Sequence, residues 1–226
     1  MSSVKWLPLE SNPETINAFL SKIGVSGAEC TDVYGFEDEL LEFLPKPQYA
    51  LILCFPDYKK VDELMRPVYE KLEKEGAKIP ENVFFAKQKI SNACGTFALF
   101  HSLANNSDKI DLGSGSFRKW LDEALKVDVE ARSDTLAANE DLAKAHESCA
   151  QQGDTNVSLE DKVEHHFICY VNHDGKLLEI DSRMPCPREC GSTSQETLIK
   201  DAGKVCRELM DKMDNTSFAA MALVGK

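Results

Sequence analysis

An α/β fold is predicted by three observations along the 226 residues. Residues 49–55 (YALILCF) form an almost continuous apolar run between Pro47 and Pro56, the pattern of a strand buried on both faces. Residues 165–181 place two apolar stretches around Asn172-His173-Asp174-Gly175, a strong hairpin signal. Helical periodicities alternate with these stretches, beginning with Ile16, Phe19, Leu20 and Ile23 at i, i+3, i+4 and i+7.

The elements follow in order. Asn12 caps the first helix, Pro13 opens it with a pre-set φ, and Gly24 closes it. A short helix over 37–44 ends before Pro45, and the strand at 49–55 belongs in the centre of the sheet. Residues 61–75 read as a helix interrupted by Pro67, 83–86 as a strand, and 93–104 as a helix capped by Ser91 or Asn92. Helices over 116–126 and 139–149 follow. Residues 147–164 (ESCAQQGDTNVSLEDKVE) lack periodicity and form a surface loop longer than compact domains usually keep without a use. A lid over a site and a merely mobile insertion fit that loop equally well. Strands over 165–171 and 177–181, an amphipathic helix over 196–213 and a strand over 218–224 complete the chain. With no internal repeat and no linker rich in Gly, Ser or Pro, residues 1–226 read as one domain.

Composition narrows the function classes. A chain of this length buries enough surface to need no staples, so its eight cysteines are packing residues with room for one reactive thiol. No apolar h-region opens the sequence and no window suits a membrane span, so the expectation is an intracellular protein, cytoplasmic and also nuclear, that does not engage a membrane. The net charge of −12, with no basic run, argues against nucleic acid and toward a basic partner.

Cys94 is the candidate nucleophile. In Gln88-Lys89-Ile90-Ser91-Asn92-Ala93-Cys94 a strand hands over to a helix, which sets Cys94 in the first turn. Free N–H groups and the positive end of the helix dipole there favour a thiolate. Cys30, Cys54, Cys169 and Cys206 sit in apolar or helical contexts and read as core. A thiolate needs an imidazole partner, and five histidines are present. His101 lies on the same helix two turns away, about 10 Å of rise, beyond hydrogen-bond reach. His146 reads as a helix-surface residue and His173 as a turn residue.

Hairpin register separates His165 from His166. A four-residue loop sets His166 opposite Asp181, and a two-residue Asp174-Gly175 loop sets the pair diagonally on one face. Either arrangement lets the carboxylate reach the imidazole, whereas an odd loop or a bulge favours His165 instead. Gln88, six residues before Cys94, is placed to fold its amide toward the thiol as an oxyanion donor beside the Cys94 N–H. The order Gln, Cys, His, acid is papain-like, although the local papain sequence is absent. A competing zinc site from Cys186, Cys190 and His173 or His165 has only C-x3-C spacing and no second pair.

Together these residues resemble the ubiquitin C-terminal hydrolase family, the thiol deubiquitinases of UCH type. The resemblance is carried by WLPLESNPE at Trp6, DVYG at Asp32, QKISNACGT at Gln88, LANN at Leu103, HFI at His166 and LLEIDSRMPCP at Leu177. It implies a mixed, mainly antiparallel sheet flanked by helices, a papain-like catalytic arrangement and a knotted backbone. It also implies Cys94 as nucleophile, His166 as general base and acid, Asp181 as the orienting carboxylate and Gln88 in the oxyanion hole. The reaction implied is cleavage of small adducts or short peptide extensions from the C-terminal glycine of ubiquitin, through a thioester and without cofactor or metal. A stoichiometric monoubiquitin-binding protein with slow turnover is the alternative, and an unrelated papain-like peptidase a distant third. The resemblance further implies an active-site crossover loop at about 147–164, ubiquitin contacts at Pro8 and Leu9, and a monomer. Ubiquitin is the partner, with the related modifier NEDD8 a second candidate. Ser182 departs from the family pattern, which usually has Gly after the aspartate, and His165 stands where an apolar residue is usual.

Overall fold

The computed structural model describes residues 4–153 and 164–226. Its spine is a six-stranded sheet of β1 (Ala28–Asp32), β2 (Gln48–Phe55), β3 (His166–His173), β4 (Lys176–Ile180), β5 (Arg188–Ser192) and β6 (Ala219–Gly225), ordered β1-β6-β2-β3-β4-β5. Every pairing within it is antiparallel; a parallel bridge joins Lys5 to Ser91 outside the sheet. The helices are α1 (Pro13–Lys22), α2 (Asp38–Leu41), α3 (Tyr58–Lys74), α4 (Cys94–Ala104), α5 (Ser116–Ala124), α6 (Val129–Ala137), α7 (Glu140–Ala150) and α8 (Leu198–Met213).

β2 shows why the sheet is covered on both sides. All eight of its residues are buried between β3 and β6. Ala50, Ile52 and Cys54 join the core formed with α1, α4 and α5, while Leu51, Leu53 and Phe55 join the core beneath α8. The two-residue side-chain period thus feeds two apolar layers from one strand. α4 lies within the larger core with all eleven residues buried, so the helix that starts at Cys94 is held from every side.

Two expectations are corrected. Residues 83–86 are buried but do not form a strand, because side chains occupy their backbone groups. Phe84 N donates to Asn105 Oδ1 at 2.8 Å and Asn105 Nδ2 donates to Phe84 O at 2.9 Å. Ala86 N donates to His101 Nε2 at 3.0 Å, and Arg132 Nη1 donates to Phe85 O at 2.7 Å. These bonds satisfy the segment without a neighbouring strand. The loop expected from residue 147 begins later, since α7 runs to Ala150. Residues 154–163, the main part of the expected crossover loop, lie outside the described residues.

The hairpin takes the tighter of its two even forms. His173 pairs with Lys176, and Asp174 and Gly175 turn the chain with φ of 51° and 80°. Two positive φ values in a two-residue loop match the twist of antiparallel strands.

Candidate active site

The register of the hairpin delivers the dyad. His166 opens β3 and Asp181 directly follows β4, diagonal across the non-bulged pairing. Nε2 of His166 lies 2.7 Å from Oδ1 of Asp181, with both residues buried. The same oxygen accepts the backbone N–H of Arg183 at 2.9 Å, which fixes the carboxylate in the turn after β4. Phe55, paired with His166 across β2 and β3, meets the imidazole edge-on with ring centroids 5.5 Å apart. The ring is therefore held in its plane as well as at its Nε2.

Cys94 reaches this dyad from the other side. α4 starts against the first residues of β3: a Cβ on Gly95 would lie 3.5 Å from the Phe167 ring. Neither Ser91 nor Asn92 caps the helix, a correction to the sequence expectation. Ala93 occupies the N-cap without a side-chain bond, while Ser91 is tied by its backbone to Val4 and Trp6. The helix N-terminus is thereby left free of a competing side-chain acceptor.

Electrostatics single out one thiol. Burial pushes Cys94 up, but the His166 side chain, together with the backbone N–H groups of Phe167 and Gly95, more than offsets it and holds the thiol below its ordinary range. The other seven cysteines are all shifted upward, led by burial; Cys30 and Cys169 reach about 12. For His166, burial favours the neutral ring, yet the Asp181 charge and hydrogen bond, with Cys94, raise it to about 10. Asp181 goes down despite burial because His166 and the Arg183 backbone favour its anion. These shifts all favour a thiolate–imidazolium–carboxylate array over the neutral thiol and imidazole. Since Nε2 faces Asp181, Nδ1 is the nitrogen left for the thiol.

The other predicted residues fall as follows. Gln88 sits beside the dyad: its backbone N donates to Ser182 O at 2.8 Å and its Nε2 donates to Ile90 O at 2.9 Å, in the turn leading to Cys94. Leu9 is buried against Gly95, and Pro8 is half-buried beside it. His165 is exposed. His146 is not on the surface: it is 1% exposed, facing the Thr96 hydroxyl at 2.7 Å and the Leu7 carbonyl at 2.6 Å. Among the described residues no group of three or more His, Cys, Asp or Glu is placed to hold a metal ion, and Cys190 instead donates to the Arg188 carbonyl.

Sequence reasoning missed an exposed apolar surface at the same end of the sheet. Asp32 pairs with Met221 and Val33 N bonds Ala220 O, next to the pairing of Ala219 with Cys54 and of Phe55 with His166. Tyr34 and Phe43, 87% and 85% exposed, line a shallow hollow there with Leu40 and Leu44. Single aromatic residues in short polar segments carry no periodicity, so no sequence signal marked them.

Comparison with known proteins agrees with this geometry. The family model for ubiquitin carboxyl-terminal hydrolase, family 1, matches residues 6–211. A ubiquitin carboxyl-terminal hydrolase of Drosophila melanogaster is 40% identical over 220 residues, covering 96% of each chain. The human ubiquitin carboxyl-terminal hydrolase isozyme L1 is 41% identical over 219 residues, again 96% of each. Among solved structures, the Trichinella spiralis UCH37 catalytic domain bound to ubiquitin vinyl methyl ester shares the fold with a TM-score of 0.75 at 21% identity. It covers 98% of this chain and 96% of its own. The buried Cys-His-Asp array and a match spanning nearly the whole chain lead to one conclusion: the protein belongs to the ubiquitin carboxyl-terminal hydrolase family.

Proposed function

We propose that the protein is a thiol hydrolase that removes small adducts or short peptide extensions from the C-terminal glycine of ubiquitin. The observation that carries this reading is the buried array itself: His166 lies 2.7 Å from Asp181 and meets Cys94 at the start of α4, where that thiol, one of eight, is the one shifted downward. His166 holds the proton of the Cys94 thiol on Nδ1, and the thiolate attacks the glycine carbonyl. The developing oxyanion is met by Gln88 Nε2–H and the Cys94 N–H at the start of α4. His166 then gives its proton to the leaving amine or thiol, and the thioester forms. In the second half His166 takes one proton from the water that attacks the thioester and returns it to the Cys94 sulfur as the carboxylic acid leaves, which then ionises to solvent. Asp181 keeps Nε2 protonated and stabilises the imidazolium throughout.

The restriction to small leaving groups follows from the family resemblance, which assigns a crossover loop to the segment between α7 and β3. Pro8 and the Tyr34–Phe43 surface are assigned to contacts with ubiquitin, and the −12 charge suits its basic tail. NEDD8 is a second substrate under this reading, and the protein acts as a cytoplasmic and nuclear monomer in which residues 1–226 form one catalytic domain. A stoichiometric binding role is not favoured by a site whose charged groups are already assembled. Turnover of ubiquitin bearing a C-terminal fluorogenic amide tests the proposal. Wild-type protein releases the fluorophore, and Cys94→Ser does not, while both bind ubiquitin. Ubiquitin binding by the wild type without release would overturn the hydrolase reading.

A further inference from the structure

We propose that Ser182 is a positioning residue that sets the amide of Gln88 for oxyanion stabilisation. The inference rests on the reading of Gln88 as an oxyanion donor. Ser182 is buried, and its Oγ lies 3.0 Å from Gln88 Oε1. The direction of this bond is set by the far side of the amide. The atom 2.9 Å from the Ile90 carbonyl must be a donor, so it is Nε2; the other amide atom is then an acceptor and the serine hydroxyl donates to it.

Both heavy atoms of the amide are therefore held, one by Ile90 and one by Ser182, leaving the second hydrogen of Nε2 for substrate. The backbone adds a third tie, Gln88 N donating to Ser182 O at 2.8 Å. Ser182 directly follows Asp181, whose side chain holds His166. One short turn thus positions the acid of the dyad and, through a hydroxyl, the donor of the oxyanion hole. A donor aimed in advance spares the reorganisation otherwise required in the transition state. Removing the hydroxyl leaves the amide on a single side-chain bond and forfeits part of that benefit. The loss of one net hydrogen bond corresponds to a rate reduction of about 3- to 10-fold.

The test compares Ser182→Ala, Gln88→Ala and the double variant with wild type on ubiquitin carrying a C-terminal fluorogenic amide. Expected for Ser182→Ala is a kcat about 3- to 10-fold lower with KM within about twofold, because the bond matters in the transition state. Ser182→Gly, which also lacks the hydroxyl, gives the same loss. In the Gln88→Ala background Ser182→Ala has no further effect, since its target is gone. The pH profile of Cys94 alkylation by iodoacetamide, which needs the thiolate but no oxyanion hole, superimposes on wild type. Equal losses in both backgrounds would overturn the proposal while leaving Gln88 its role. A shifted alkylation profile would assign Ser182 to the Asp181–His166 pair instead. Undiminished kcat in Gln88→Ala would remove the reading on which the proposal rests, and the proposal with it.

Discussion

His146 ties acid stability to the approach of the N-terminal segment, and His146→Gln isolates that effect. The imidazole is buried beside Trp6 and Phe19, with ring centroids 4.5 and 5.9 Å away. Its Nε2 faces the Leu7 carbonyl, so that nitrogen carries the proton and Nδ1 accepts from the Thr96 hydroxyl. Burial lowers the group from 6.5 to about 4, only partly opposed by the Leu7 bond. The folded state therefore favours neutral His146. Its contribution is complete above the unfolded value of 6.5 and is lost as pH falls toward 4, because the unfolded chain takes up the proton first. Across that window the loss is about 1.4 kcal/mol per pH unit, roughly 3 kcal/mol in all. Gln keeps one donor and one acceptor but does not titrate. Urea unfolding at several pH values between 4 and 7, followed by tryptophan fluorescence, should give His146→Gln a slope of stability against pH shallower by about 1.4 kcal/mol per unit. Trp6 against His146 reports the segment directly. Parallel slopes for variant and wild type would refute the reasoning.

Three further predictions follow from the same structure. Asp181→Asn keeps a hydrogen-bond acceptor but removes the charge that raises His166, so Cys94 alkylation at pH 6–7 should slow by about tenfold or more and its profile move to higher pH; an unmoved profile would contradict the array. Arg188→Ala leaves the buried Glu179 carboxylate without its two-pronged partner at 2.9 and 2.7 Å, with Tyr170 still donating at 2.8 Å. Chemical denaturation should show a loss of about 3–5 kcal/mol, and a loss below about 1 kcal/mol would count against the ion pair. Tyr34→Ala and Phe43→Ala should each raise KM for a ubiquitin substrate by about 3- to 10-fold with kcat unchanged; unchanged KM in both would remove that surface from the ubiquitin contact.

The site was legible where local rules decide it. A helix start places Cys94, and a hairpin with Asp174-Gly175 at its tip places His166 and Asp181 on one face whichever even loop forms. β2 was legible because burial on both faces leaves an unbroken apolar run. The strand expected at residues 83–86 shows one limit: an apolar run reports burial, not the partner that satisfies the backbone. Residues 83–86 are served by Asn105, His101 and Arg132, and no strand rule anticipates side chains in that role. β1 and β5 are short edge strands with polar or charged residues, a pattern that protects an edge and hides it from periodicity. α6, with few apolar residues, is stabilised by its Asp128 cap and by packing on α5 and α7. His146 reads as a surface residue because part of its cover is distant in sequence, Leu7 lying 139 positions before it and Trp6 beside Leu7. The Ser182–Gln88 bond spans 94 positions and was invisible for the same reason.

The central claim is that Cys94, activated by His166, attacks the C-terminus of ubiquitin. Incubation with ubiquitin bearing a C-terminal electrophile, followed by peptide mapping in a mass spectrometer, tests it most directly. The account predicts one adduct at Cys94, absent from Cys94→Ser and formed more slowly by His166→Ala. An adduct on another cysteine, or none from a protein that binds ubiquitin, would contradict it.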